Sequence, residues 1–326
     1  TFSSPGVEVS VENSESIYFR GGGGYNTIMM YDSGGDDLID IGASMTRFSG
    51  PGFSNTARGF QEIRGYASQG FDQAVIDDSS ADDTFIAKHS WAQMTGGGLV
   101  KHVSGFDSVR AYAGAGNDSA VLYDSIGDDS LVIKSTWAKF SGPDFFNYVK
   151  GFESVSAYAG AGNDIAEFYD TPGDDTLISK STWSRLTGSG LTYYAKGFDH
   201  LRAYAGGGYD QAYFYDGTGD DLFTAGPQEA TLSGNGYVNF SRKFESVTAY
   251  AGGGNNTASL SGTAAADQWT SGGPLATLSG AGYQLTAKNF NQVAVDGVGG
   301  GDSAYVYDTP ADDHCGAPSR TAPLQR

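Results

Sequence analysis

One spacing constrains this chain more than any other feature. A 46-residue unit recurs about seven times along 326 residues, without insertion or deletion. Steps of 46 from Phe60 land on Phe106, Phe152, Phe198, Phe244 and Phe290. Three residues further on stands an aliphatic column: Ile63, Val109, Val155, Leu201, Val247 and Val293. Tyr66, Tyr112, Tyr158, Tyr204 and Tyr250 follow, and a glycine column runs through Gly50, Gly96, Gly142, Gly188, Gly234 and Gly280. A unit of fixed length buries its apolar face against the next copy, so such a chain grows along one axis instead of dividing into globular domains.

The unit from Ser108 to Glu153 splits into about five apolar-alternating stretches separated by Gly, Asp, Asn or Pro, the pattern of strands and turns. Val109, Ala111 and Ala113 share one face and Arg110 and Tyr112 the other; Ala120 and Leu122 likewise oppose Val121 and Tyr123. No stretch sustains a helical period, and none approaches a membrane-spanning length. The 49 Gly, 20 Tyr and 19 Phe suit many short strands joined by tight turns. The reading is all-β: a parallel β-helix-like β-solenoid, continuous over 1–313, with an irregular tail at 314–326. Stacked strands lie about 4.8 Å apart and an inserted residue would displace a whole ladder, which explains the constant length. The Phe column is expected to form a buried aromatic stack. Because 46 residues is long for one turn, two coils of about 23 residues are expected, with one wide coil as the alternative.

The formal net charge of −19, from 38 acidic and 19 basic residues, argues against nucleic acid and anionic membrane as partners. It leaves two readings, solubility and divalent cation binding. Cys315 is the single cysteine, so no internal disulfide forms. The chain starts at Thr1 without methionine or signal peptide, as expected of a processed, excised or partial product.

Two acidic motifs recur. The first is AGAGNDSAV at Ala113 to Val121, with relatives AGAGNDIAE and AGGGYDQAY, and it places Asp72, Asp118, Asp164, Asp210 and Asp302 in one column. Asn26 and Asn256 replace the acid in two units. The second is YDSIGDD at Tyr123 to Asp129. It yields three columns: Asp32, Asp78, Asp124, Asp170, Asp216 and Asp308; Asp36, Asp82, Asp128, Asp174, Asp220 and Asp312; Asp37, Asp83, Asp129, Asp175, Asp221, Asp267 and Asp313. Carboxylates crowded in one turn repel, and a bound cation such as Ca²⁺ would remove that cost. The alternative is that these residues cap turns through backbone hydrogen bonds and face solvent. The unit around 250–270 retains only Asp267, with Asn256, Gly262 and Ala266 elsewhere in the set. Either cation binding is optional in each coil or the acids are turn-formers.

Trp91, Trp137 and Trp183 form a short column ending at Glu229, suited to core or rim packing or to gripping a polysaccharide. Arg58, Lys150, Lys196, Arg242 and Lys288 form a basic column expected to balance nearby acids. The four histidines, at 89, 102, 200 and 314, fall in four different columns, as scattered surface residues do. Catalysis needs unlike groups converging at one place, and here the acids repeat without converging, so no enzyme is expected.

The Gly/Asp turn is similar to the calcium-binding nonapeptide of RTX proteins, in which Gly turns expose carbonyl oxygens and Asp supplies carboxylate. The resemblance is partial, since Ala usually stands at the first Gly and at the apolar position. From Phe2 to Asp313 the combined pattern resembles repeats of large surface proteins of planctomycete-type bacteria. That resemblance implies an extracellular location and no established enzymatic role. The expectation is an extracellular structural repeat protein, a filament subunit or stalk that Ca²⁺ could stabilise. An adhesin or glycan-binding section of a longer protein is the alternative, and a polysaccharide lyase a distant third. Phe2-Ser3-Ser4-Pro5-Gly6 aligns with Phe48-Ser49-Gly50-Pro51-Gly52, so the chain begins in mid-unit. Open strand edges would then favour head-to-tail self-association, unless the chain is a fragment of a longer one.

Overall fold

The computed structural model describes residues 14–307 and, ahead of them, the backbone of two short paired strands, Phe2–Ser4 and Val7–Val9. Residues 308–326, including Asp308, Asp312, Asp313, His314 and Cys315, lie outside the described residues. All regular elements among the described residues are strands. Apart from the first two, they form two sheets of 16 strands each. The protein is a β-solenoid.

The representative unit contributes five strands: Ser108–Tyr112, Ser119–Tyr123, Ser130–Lys134, Trp137–Gly142 and Phe145–Lys150. The first lies in one sheet and the second in the other; the last three return to the first sheet as an antiparallel meander. Ser154–Tyr158, which opens the next unit, crosses again. Three crossings make one and a half turns, so neither two even coils nor one wide coil describes the winding. An odd number of crossings also puts equivalent strands of successive units in opposite sheets.

Axial neighbours are therefore not residues 46 apart. Val109 pairs in parallel with Ala74 on one side and Asn147 on the other. The third strand of each unit climbs ahead, and the fourth and fifth fold back into the gap, joined by two-residue turns. Asn235-Gly236 is one such turn, and Gly236, at φ 77°, takes the left-handed backbone that costs glycine no side-chain clash.

Alternation buries one face of each strand between the sheets. Ala120 and Leu122 are buried, as are Val109 and Ala111, as the sequence pattern predicts. The sheets approach closely: a Cβ on Gly65 would collide with Ile39 of the facing sheet. The Phe column is buried or half-buried, but its members do not stack on one another, because they stand in the connections between sheets and successive copies mark crossings in opposite directions. Phe106 instead packs on Phe48 at 6.0 Å, Phe152 on Phe85 at 6.1 Å and Phe198 on Phe140 at 5.6 Å.

The outward faces carry aromatic ladders. On the sheet holding Ser119–Tyr123, Tyr123 stacks on Tyr158 at 5.2 Å; Tyr194 and Trp183 continue the row at 5.9 Å each. Lys180 lies 5.0 Å over Trp183 and 5.2 Å over Tyr215, which stacks on Tyr250 at 4.8 Å. Trp91 and Trp183 share this sheet, whereas Trp137 is in the other, so the three tryptophans form no common ladder.

Candidate metal centre

The acids gather in the turns at the two edges where the chain crosses between sheets. Their first task is to satisfy backbone. The Asp129 N–H donates to Asp164 Oδ1 at 2.9 Å, and the Asp164 N–H to Asp199 Oδ2 at 2.9 Å. The same three-step ladder links Asp37, Asp72 and Asp107, then Asp83, Asp118 and Glu153, then Asp175, Asp210 and Glu245. Each bond spans 35 residues. A second set caps the neighbouring turn: the Gly160 N–H donates to Asp124 and the Gly206 N–H to Asp170. The Asp36 column does the same, Asp128 accepting from the Asn163 N–H at 2.9 Å. Within its own turn Asp129 accepts from the Ser125 N–H and hydroxyl at 3.1–3.2 Å. The backbone-capping half of the turn-forming reading therefore holds, though most bonds run between turns and not within them. The solvent-facing half fails for Asp37, Asp72, Asp129 and Asp164, and for their equivalents Asp83, Asp118, Asp175 and Asp210, all of which are buried.

The glycine column follows from this packing. The carboxylates of Asp37, Asp83, Asp129, Asp175, Asp221 and Asp267 lie against the Cα of Gly50, Gly96, Gly142, Gly188, Gly234 and Gly280. A Cβ at any of these glycines would overlap an Asp oxygen.

Backbone capping leaves carboxylate oxygens over. Four triads bring oxygens within 4.8 Å of one another: Asp32/Asp37/Asp72, Asp78/Asp83/Asp118, Asp124/Asp129/Asp164 and Asp170/Asp175/Asp210. These triads could hold a metal ion. Asp164 and Asp210 are 0% exposed and Asp118 1%, yet Oδ2 of each is buried without a hydrogen-bond partner. A buried, unpartnered carboxylate oxygen is costly. Burial pushes Asp164 and Asp72 up to about 6 and Asp210 to about 7; an accepted backbone N–H opposes the rise, and nearby carboxylates add to it. Asp118, Asp124 and Asp170 also rise, chiefly through burial. The ion pairs among the described residues, Arg64–Glu62 and Arg202–Glu167, lie outside the triads.

The chain contains its own substitution experiment. Where Asn256 replaces the third acid, its Nδ2 donates to Asp216 at 2.9 Å, and the Tyr237 hydroxyl donates to Asp221 at 2.6 Å. In the next unit Gly262 replaces the first acid, and Tyr283 lies beside Asp267, its phenol pushed up by burial and by that carboxylate. At the positions equivalent to Tyr237 the four full triads have Phe53, Leu99, Phe145 and Leu191, none able to donate. A phenol donates to Asp221 Oδ1 where the triad is broken, although Asp221 Oδ2 and the Tyr283 hydroxyl stay buried without a hydrogen-bond partner; that column holds no donor where the triad is whole. One triad has a further feature: Lys101, buried, points its ammonium at the Asp77 and Asp78 carbonyls beside Asp83.

Of the remaining sequence-derived candidates, Asp216 and Asp221 face Asn256 and form no triad, and Asp302 is exposed, accepting the Asp267 N–H at 2.9 Å. Sequence reasoning passed over the row Asp107, Glu153, Asp199 and Glu245, although it directly follows the Phe column, and it passed over the Tyr237/Tyr283 exchange. The basic column sits exposed on the outer faces without an ion pair among the described residues.

Comparison with known protein families, curated proteins and solved structures finds no match to this chain.

Proposed function

We propose that this chain is a structural rod of an extracellular surface or matrix assembly, stabilised by one divalent cation in each of its four Asp triads. The observation that carries this reading is the set of buried, unpartnered oxygens on Asp118, Asp164, Asp175 and Asp210, set against Tyr237 and Asn256, which donate to Asp221 Oδ1 and Asp216 in one broken triad and leave Asp221 Oδ2 alone unpartnered there. The donors are all carboxylate oxygen, without His or Cys, which favours a hard cation. Ca²⁺ tolerates irregular oxygen cages better than Mg²⁺, and extracellular modules bind it at roughly 10⁻⁴–10⁻³ M. Sixteen strands stacked about 4.8 Å apart make a body roughly 70 Å long, which suits a spacer.

Head-to-tail association belongs to the same reading. Among the described residues the sheets end on Tyr18–Arg20 and Thr27–Tyr31 at one pole and on Gln292–Asp296 and Ser303–Tyr307 at the other. Met29, Tyr31, Val306 and Tyr307 are exposed there. Thermal melting with Ca²⁺, with Mg²⁺ and with EDTA tests the cation, and light scattering of the same samples tests association. A melting temperature indifferent to all three additions removes the cation from the proposal; a monomer at high concentration removes the polymer.

A further inference from the structure

We propose that the outer face of the sheet containing Ser119–Tyr123 binds an acidic polysaccharide laid along the solenoid axis. The charge on this face is one-sided. Among its sixteen strands the single acidic residue is Glu62, already held by Arg64 at 2.6 Å. The strands of the opposite sheet carry nine basic residues but intersperse five acids among them, so this sheet is set apart by its lack of acids and not by a larger positive count. Of the favoured face's four exposed lysines, Lys196 among them, three lie over tyrosine rings. Lys88 lies 5.2 Å over Tyr123, Lys180 5.2 Å over Tyr215 and Lys288 5.4 Å over Tyr250. Lys88 and Lys180 flank strands five places apart, about 24 Å along the axis at about 4.8 Å per strand.

The rings between them decide the class of ligand. Tyr123 and Tyr158 lie within 18° of parallel, and Tyr215 and Tyr250 within 7°. Their faces are taken by neighbours or by lysine, so solvent meets ring edges. Aromatic edges carry the positive end of the quadrupole. A platform of bare ring faces would suit neutral sugars, whereas ring edges with ammonium groups suit a chain bearing carboxylate or sulfate. The strip adjoins the edge turn of the Asp124/Asp129/Asp164 triad, because Tyr123 directly precedes Asp124. Cation loading there lowers the repulsion a polyanion would meet, so this dependence, but not the strip itself, rests on the function proposed above.

The test is binding of the full chain to chondroitin sulfate, with dextran as the neutral control, in about 1 mM Ca²⁺ and in EDTA. Chondroitin sulfate is expected to bind and dextran not to. A Lys88→Gln/Lys180→Gln/Lys288→Gln variant should bind about tenfold more weakly. A Lys134→Gln/Lys150→Gln variant, altered on the opposite sheet, should match the parent. Equal binding of dextran, equal loss in both variants, or single-stranded DNA binding as tightly as chondroitin sulfate overturns the assignment. Cation binding measured without glycan reads the triads separately, so failure of the strip leaves that reading standing.

Discussion

Replacing Asp164 by Asn asks the protein to do in one unit what it already does with Asn256. The Asn Oδ1 can keep the bond from the Asp129 N–H, and its amide can donate to Asp124 as Asn256 donates to Asp216 at 2.9 Å. Asp164 is raised from 3.8 to about 6, mainly by burial. At 1.36 kcal/mol per unit the shift amounts to about 3 kcal/mol, and water at an edge turn lowers this to about 1–2 kcal/mol. The folded state holds the proton more tightly than the unfolded state. Without cation, then, this contribution is fully present below pH 3.8 and is lost as pH rises through about 6. Asn is neutral throughout. In EDTA at pH 8 the variant should therefore be about 1–2 kcal/mol more stable than the parent, a rise of about 2 °C in Tm, with no gain near pH 4. Cation first cancels and then reverses the comparison, because the parent gains about 1.4 kcal/mol at this site at ten times Kd and about 2.7 at a hundred times. Differential scanning calorimetry at both pH values, with and without Ca²⁺, reads all four cases. A Tm difference that ignores both pH and cation would refute the reasoning.

Phe145→Tyr should place a hydroxyl beside Asp129, as Tyr237 does beside Asp221, and weaken the Ca²⁺ response of that triad; an unchanged response by calorimetric titration would count against the exchange argument. Gly142→Ala pushes a methyl into the Asp129 carboxylate and should cost about 1–3 kcal/mol, read by chemical denaturation. Phe152→Ala, at a site 6% exposed, should cost about 3–5 kcal/mol, and a loss under about 1 kcal/mol would put this ring outside the core.

Strands and their buried faces were legible because alternation of Val109, Ala111 and Ala113 with Arg110 and Tyr112 is a local property. Axial register was not. A 46-residue period says that units are alike, not how many times each crosses the molecule. Three crossings bring Val109 beside Ala74 and Asn147 instead of Ile63 and Val155, its equivalents one period away. The aromatic columns mislead for the same reason: a step of one period suggests that Phe152 and Trp137 meet their own copies, but those of Trp137 sit in the other sheet and those of Phe152 at crossings that run the other way. The acidic turns could be read as ligands or as turn-formers, and they divide the work oxygen by oxygen. Asp164 Oδ1 caps a backbone N–H while Oδ2 is left over. Residue types alone cannot express that division. The replacement of acids by Asn256 and Gly262 was visible, but Tyr237, which donates to Asp221, and Tyr283, beside Asp267, stand well apart from them in sequence and reach the same turns only in space.

Equilibrium dialysis of the full chain against Ca²⁺, with bound metal counted by atomic spectroscopy, tests the cation account most directly. The account predicts four ions per chain, one for each triad. It also predicts their loss from a folded Asp72→Asn/Asp118→Asn/Asp164→Asn/Asp210→Asn variant. No bound metal in the parent, or four ions retained by the variant, would contradict it.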